Sequence, residues 1–246
     1  MKIGYSGISG NIGDYIDELR SKESVNIRRA YLDWEEPLTF SIITDYDRLF
    51  LAFPINKVDI LSVLPEFVKH LRKDQTLIKF GSLGPQRCVH DIIDAEIRKH
   101  CNLITLQLSH VMSSLITEQV DGSVLYDFRF GNPSPYVSPE AAAQAAVWAT
   151  EKGLDADVIE VTGPENLNIN QVRDILNDYL DIQTIQTMDG KKFVEEYRCS
   201  EELKQAARDI YDQYKTSYPE VSSDLRRNGI PNMTLSKWMS LHYVKK

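Results

Sequence analysis

Long apolar runs are missing from this chain of 246 residues. No stretch reaches the roughly 20 residues that a bilayer-spanning helix needs, so no membrane partner is expected. The chain opens directly on a strand-like segment, without the ordered regions of a secretory signal. Cysteine is scarce: Cys88, Cys101 and Cys199 are scattered and odd in number. They match neither metal-ligand spacing nor a disulfide framework, which suits a reducing cytoplasm and gives no metal site. Dense basic runs are absent too, and the net charge is −8. Nucleic acid is therefore not an expected partner, because phosphate binding needs concentrated Lys and Arg. Internal repeats and low-complexity linkers are also lacking. What remains, 42% hydrophobic and 26% charged residues, is the composition of one globular unit able to bury a sizeable core.

The most informative segment is Met1 to Asp33. MKIGYSG reads as a short strand and leads into Gly7-Ile8-Ser9-Gly10-Asn11-Ile12-Gly13. Ile12, Tyr15, Ile16 and Leu19 follow with helical spacing, and VNIRRAYLD is a second strand. Strand, glycine turn, helix, strand is the context in which a glycine motif indicates nucleotide binding. Gly7 would allow the tight turn, Gly10 the approach of a pyrophosphate to backbone, and Gly13 close packing of helix on strand. Free amides of the first helical turn, at Asn11 and Ile12 among others, would face the phosphates. Asp33 lies about 20 residues beyond Gly13, where a carboxylate can hold ribose hydroxyls. The same glycines also fit a mere packing device between helix and strand.

Downstream, RLFLAF (48–53) reads as a buried strand ended by Pro54, and Val58 to Leu71 as a helix with a possible kink at Pro65. Thr76 to Phe80 and Leu103 to Leu108 are further strands, separated by an amphipathic helix over Val89 to Arg98. Pro139 starts an alanine-rich helix, Asp157 to Val161 gives one more strand, and the rest is mainly helical: Ile169–Leu180, Lys191–Tyr214 and Leu235–Tyr243. Strands alternating with helices predict an α/β fold, a parallel sheet with helices on both faces. The expected division is a Rossmann-like core over 1–165 and a small, mostly helical substrate-side lobe over 166–246, integrated as one unit.

These segments together resemble the NmrA-like branch of the atypical short-chain dehydrogenase/reductases. The opening MKIGYSGISGNIG, RLFLAFP, VHDIIDAEIRKHCNLITLQLSHVMSSLI, PYVSPEAAAQAAVWAT, VIEVTGPENLNINQVRDILNDYL and TLSKWMSLH carry the likeness, in order and over nearly the whole chain. The resemblance implies a Rossmann domain that binds NAD(P), a helical lobe, and a substrate cleft between them. The family includes quinone and imine reductases and also redox-sensing regulators that bind the cofactor without turning it over.

The chain departs from the family pattern in three ways. Only Trp34 to Asp47 separates the second strand from RLFLAFP, so about one βα unit, roughly 30 residues, is missing. The adenine pocket is then expected to be shallower or to lack a wall, and loss of cofactor binding is a real alternative. Asp14 in the first helical turn repels a phosphate, and Asp33, Glu35 and Glu36 stand where NADP-binding relatives often place an arginine. NAD is therefore expected in preference to NADP. At least one of Arg28 and Arg29 should point away from the site, because strand side chains alternate. Finally, the Tyr-x-x-x-Lys spacing of the wider superfamily occurs only at Tyr211 to Lys215, in the helical lobe, and is rejected as a catalytic pair.

In its place, Ser82 follows the TLIKF strand where the family's serine falls, and His90, Asp94 and Glu96 offer acid–base groups on the next helix. His90 and Asp94 share a helix face at i, i+4, although a solvated face with a satisfied histidine is the commoner outcome of that spacing. His110, at the mouth of the Leu103–Leu108 strand, is a candidate substrate contact or acid–base group. Tyr126, Phe128, Phe130 and Tyr136 form an aromatic set around Gly131-Asn132-Pro133 suited to a flat or apolar ligand, or to core packing. His70 and His100 suit helix C-termini, and His242 carries no signal. Three functions follow in order: an NAD(P)-dependent oxidoreductase of a small metabolite in biosynthesis, a cofactor-independent cyclase or isomerase using His90 or His110, and a non-catalytic NAD-sensing or scaffold protein.

Overall fold

The fold is taken from a computed structural model that describes the chain except residues 7–10, 23–26, 56–57, 85–86, 128–131, 153–155, 188–193, 196–198, 215–218 and 246, and except the side chains of 11, 22, 118 and 214. Its centre is a six-stranded sheet of β1 (Ile3–Ser6), β2 (Ile27–Arg29), β3 (Arg48–Leu51), β4 (Thr76–Ser82), β5 (Asn102–Leu108) and β10 (Val158–Val161). The strand order is β10-β5-β4-β3-β1-β2, and every pair is parallel. The chain moves outward from β1 to β2 and then returns to the other side of β1, so the order reverses between β1 and β3. Ligands of open α/β sheets bind at such a switch point, outside the carboxyl ends of the strands.

Helices cover both faces, as the apolar runs of the inner strands require. On one face, α1 (Asn11–Lys22) and α5 (Pro139–Lys152) pack on Tyr5, Phe50, Ile78, Ile104 and Leu106. The alanines of α5 bring that helix close to the sheet; six of its residues from Ala141 to Ala149 are fully buried alanines. On the other face, α2 (Ile60–Phe67) and α3 (Arg87–Ile97) cover Leu49, Leu51, Leu77 and Leu103. Asp59 caps α2 by accepting from the Ser62 amide, and beyond Pro65 the helix tightens into a 3₁₀ turn over Val68–His70.

Residues 30–47 replace a full βα unit. Pro37–Asp45 forms a 3₁₀ helix that buries Phe40 and Ile43 against the sheet. Its end is fastened by the buried amide of Gln75, which donates to the Ile43 and Tyr46 carbonyls at 2.9 Å each. β2 is thereby left at the sheet edge, with no strand on its outer side among the described residues.

Short strands and helices make up the remainder. Between β5 and α5 lie β6 (His110–Val111), α4 (Met112–Gln119), β7 (Val120–Asp121), β8 (Val124–Asp127) and β9 (Ser134–Val137). After β10 come β11 (Asn166–Leu167), α6 (Ile169–Asn177), β12 (Thr184–Thr187), α7 (Glu201–Tyr214), α8 (Asp224–Arg227) and α9 (Leu235–His242), so the segment 166–246 holds short strands as well as helices. Two three-stranded sheets, β11-β9-β6 and β12-β8-β7, join segments far apart in sequence. One apolar cluster unites Met112, Leu115 and Tyr136 with Val172, Leu176 and Trp238. Gly163, in the Thr-Gly-Pro-Glu turn after β10, is what lets these parts close. A Cβ there would lie 1.9 Å from the Tyr136 carbonyl oxygen.

Candidate functional site

The carboxyl edge of the sheet is built from the ends of β1, β3, β4 and β5. Gly7 and Gly10 fall outside the described residues. Asn11 and Ile12 open α1, and Gly13 is buried in its first turn, as close helix–strand packing requires. Asp14 is exposed in that turn. Ser82 ends β4, half-buried, and its Oγ accepts from the Gly84 amide at 2.9 Å, which orders the loop towards α3. Ser109 follows β5, its Oγ buried and without a hydrogen-bond partner among the described residues. Next to it, His110 pairs with Tyr136 across β6 and β9, their rings 5.9 Å apart. The structure thus brings Ser82 and Ser109 to the carboxyl ends of the neighbouring strands β4 and β5, with His110 next in the chain and paired with Tyr136, which is fully buried within β9. Tyr126 lies in the other small sheet, paired with Gln186, while Phe128, Phe130 and Gly131 are outside the described residues.

His90 and Asp94 do share a helix face, but it is the face that packs on the sheet. His90 is buried, and its Nδ1 lies 3.3 Å from Nζ of Lys79, a fully buried lysine of β4. The same ammonium reaches Asp94 Oδ1 at 2.7 Å and the Phe80 carbonyl at 3.3 Å, so three acceptors surround its three protons. The second Asp94 oxygen accepts from Thr105 Oγ1 at 2.6 Å. Burial pulls the Lys79 pKa down from the ordinary lysine value, and the Asp94 carboxylate opposes that pull. Burial, with the Lys79 charge second, pushes His90 down to about 3. A neutral His90 accepting from Lys79 would carry its proton on Nε2, and the ring is part of the buried cluster. Glu96 is on the solvent side, paired with Lys99 at 2.5 Å and with His100 at 3.5 Å.

On the β2 side, the Asp33 carboxylate accepts from the Glu35 amide at 2.9 Å, and Thr39 Oγ1 laces the Asp33 backbone. Register places Ala30 level with Ser6, so Asp33 is three residues past the end of the paired region. Both Arg28 and Arg29 are exposed. Arg29 reaches Asp17 of α1 at 3.8 Å, whereas Arg28 faces Tyr46 on the opposite face, the alternation expected of a strand. Trp34 is buried and packs tilted on Phe53, with ring centroids 4.6 Å apart, and on Phe67 at 5.1 Å and Phe40 at 5.7 Å. Its indole Nε1 has no acceptor among the described residues.

Two arrangements carry no obvious signal in the sequence. Lys79 stands in an apolar strand, TLIKF, where a lone charge would have to find a buried partner; that requirement is the one clue. His242 of α9 donates or accepts at Nε2 with Glu140 Oε1 of α5 at 2.8 Å, and Tyr15 of α1 also bonds Glu140. Burial and the carboxylate raise the Tyr15 pKa, so this phenol stays protonated. The trio pins the last helix across the α1–α5 seam. Tyr211 is buried within α7, which packs on α3, and Lys215 lies outside the described residues.

A nicotinamide dinucleotide fits this edge in part. The first turn of α1, the buried Gly13 and the orphaned Ser109 hydroxyl suit the pyrophosphate and nicotinamide side. On the adenosine side, Trp34 and Phe53 are already in contact.

No protein-family model matches the sequence, and no curated protein matches it at the sequence level. Solved structures do match. Triphenylmethane reductase of Citrobacter sp. in complex with NADP(H) is 15% identical with a TM-score of 0.71, over 98% of this chain and 99% of that one. The NADPH-dependent quinone oxidoreductase of Escherichia coli, complexed with NADPH, is 11% identical with a TM-score of 0.74 over the same shares. A nucleoside-diphosphate-sugar epimerase of Staphylococcus aureus is 12% identical with a TM-score of 0.70, over 97% of this chain and 99% of that one. The chain therefore has the Rossmann-like fold of these proteins over nearly its whole length.

Proposed function

We propose that the chain is an NAD(P)-dependent oxidoreductase of the NmrA-like, atypical short-chain type, reducing a small organic molecule. One observation carries this reading: α1 opens at Asn11, with Gly13 buried in its first turn, beside the point where strand order reverses between β1 and β3. The likeness to reductases crystallised with NADP(H) supports it. Amides of the first turn of α1 would hold the phosphates of the cofactor, which when bound would supply a hydride to an electrophilic carbon of the substrate. The substrate lies over the ends of β4 and β5, between Ser82 and His110, with Tyr126 on the side of the small β12-β8-β7 sheet. Ser82 orients the substrate heteroatom, and His110 delivers the proton that balances the hydride. NAD is preferred over NADP, because Asp33, Glu35 and Glu36 follow β2 and Arg29 is committed to Asp17.

Melting of the purified protein with NADH, NADPH or neither tests binding. Ligand at about 100 times its dissociation constant adds roughly 2.7 kcal/mol of stability. Oxidation of the cofactor at 340 nm, followed with a panel of quinones and imines, tests turnover. No melting shift with either cofactor, together with no oxidation, overturns the reading; a larger shift with NADPH overturns the choice of NAD. A cofactor-independent isomerase in the same cleft is the second reading, favoured by the absence of a Tyr-Lys pair at the strand ends among the described residues. It predicts turnover that survives Gly10→Glu.

A further inference from the structure

Resting on the cofactor reading above, we propose that Trp34 is a built-in plug in the adenine slot, so that this site recognises a nicotinamide mononucleotide unit and gains little from the adenosine half of a dinucleotide. In a Rossmann fold the ribose of adenosine sits at the end of the second strand, and the base lies beyond it at the carboxyl edge. The walls of that slot are the segments following β2 and β3. Here those segments touch. Trp34, which follows β2, meets Phe53, which follows β3, with ring centroids 4.6 Å apart and planes inclined at 41°. A base inserted between them would need a gap about twice a stacking distance, and the two rings leave none.

The plug is held firmly. Trp34 is only 4% exposed, and Phe40 and Phe67 also pack on it, Phe67 touching Phe53 as well. The turn that carries it is laced by Thr39 Oγ1 to the Asp33 amide at 3.0 Å and to the Asp33 carbonyl at 3.1 Å. An indole chosen for hydrogen bonding would have an acceptor at Nε1, and Trp34 has none among the described residues. That donor is tolerated at a cost, which fits a side chain placed to occupy volume. Asp33, the residue expected to hold the ribose, spends one carboxylate oxygen on the Glu35 amide of its own turn. The base thus has no slot on this side and the ribose only one uncommitted Asp33 oxygen, while the first turn of α1 and the strand ends on the nicotinamide side stay in place.

The test is calorimetric titration of the wild-type protein with NADH and with reduced nicotinamide mononucleotide, repeated on Trp34→Phe and Trp34→Ala. A base that stacks on an aromatic wall is worth about tenfold to hundredfold in affinity. The plug predicts that the mononucleotide binds wild type within about tenfold of NADH. It predicts that Trp34→Phe behaves as wild type, and that Trp34→Ala gains at least fivefold for NADH and nothing for the mononucleotide. NADH binding more than a hundredfold tighter than the mononucleotide to wild type overturns the plug and leaves the cofactor reading intact. That comparison needs no variant, so it decides even where Trp34→Ala fails to fold. Wild type that binds neither ligand overturns the mononucleotide site, even where Trp34→Ala binds NADH. Absence of binding to every protein by both ligands overturns the cofactor reading and the plug with it.

Discussion

Replacing His90 by glutamine should remove a specific part of the protein's sensitivity to acid. The imidazole sits in the buried cluster with Lys79, Asp94 and Thr105, and its pKa falls from the ordinary 6.5 to about 3, first through burial and then through the Lys79 charge. In the unfolded chain it titrates near its ordinary value. Between those two points the unfolded state binds a proton that the folded state refuses, so stability falls as pH falls. The slope is about 1.4 kcal/mol per pH unit for one such group. From pH 6.5 down to 4.5 the loss is roughly 2–3 kcal/mol, a large share of the 5–15 kcal/mol that holds an ordinary domain. Glutamine keeps an oxygen that can accept from Lys79 but does not titrate. Urea denaturation followed by circular dichroism, at steps from pH 7.5 to 4.5, gives the stability of both proteins. Carboxylate contributions are common to both and cancel in the difference. That difference should move towards His90→Gln by roughly 2–3 kcal/mol on acidification. A difference that stays flat, or that favours the wild type in acid, would refute a buried neutral histidine.

The same cluster predicts a reversal between single and double substitution. Lys79→Met strands the Asp94 carboxylate and should cost about 3–5 kcal/mol, a melting shift of about 6–20 °C for a chain of this size; adding Asp94→Leu should recover most of it, and a double variant as weak as the single one would count against the pairing. Gly163→Ala should destabilise by about 1–3 kcal/mol, towards the upper end, because the Tyr136 carbonyl 1.9 Å from the new methyl is backbone and cannot swing aside; a melt indistinguishable from wild type would contradict that approach.

The parallel core was legible because its strands are buried on both faces and its helices obey a 3.6-residue period. RLFL, TLIKFGS and NLITLQL are apolar runs needing no partner information to be recognised, and α1, α3 and α5 start within two residues of where their apolar spacing or first-turn proline places them. The small sheets were less legible. β6, β9 and β11 are two to four residues long and exist because His110, Tyr136 and Asn166 meet in space, a fact no local window contains. The Pro37–Asp45 helix was invisible for a similar reason: PLTFSIITD is stabilised by Gln75 and the sheet, not by its own propensity. His90 shows the limit for chemistry. Its i, i+4 partner was correct, but which way the shared face points depends on Lys79, whose burial only the packed sheet reveals.

The short sheet and the aromatic plug are two sides of one packing problem. With β2 at the edge, the face of β1 opposite α1 has no neighbouring βα unit to cover it, and apolar strand surface left open would cost stability and invite association. The segment 30–47 has to provide the cover from few residues, so it uses large flat ones. Tyr46 lies directly against β1, where a Cβ on Gly4 would come within 2.5 Å of its ring, and Phe40 and Ile43 extend the layer to full burial. Trp34 finishes it at the carboxyl edge by reaching Phe53. The residues that make the shortened sheet stable are therefore the ones that close the adenine side. Restoring an open slot by Trp34→Ala must uncover part of the same layer, and any gain in NADH affinity should be accompanied by a loss of about 3–5 kcal/mol in stability. A variant that gained the affinity at no cost in stability would show that the indole covers nothing.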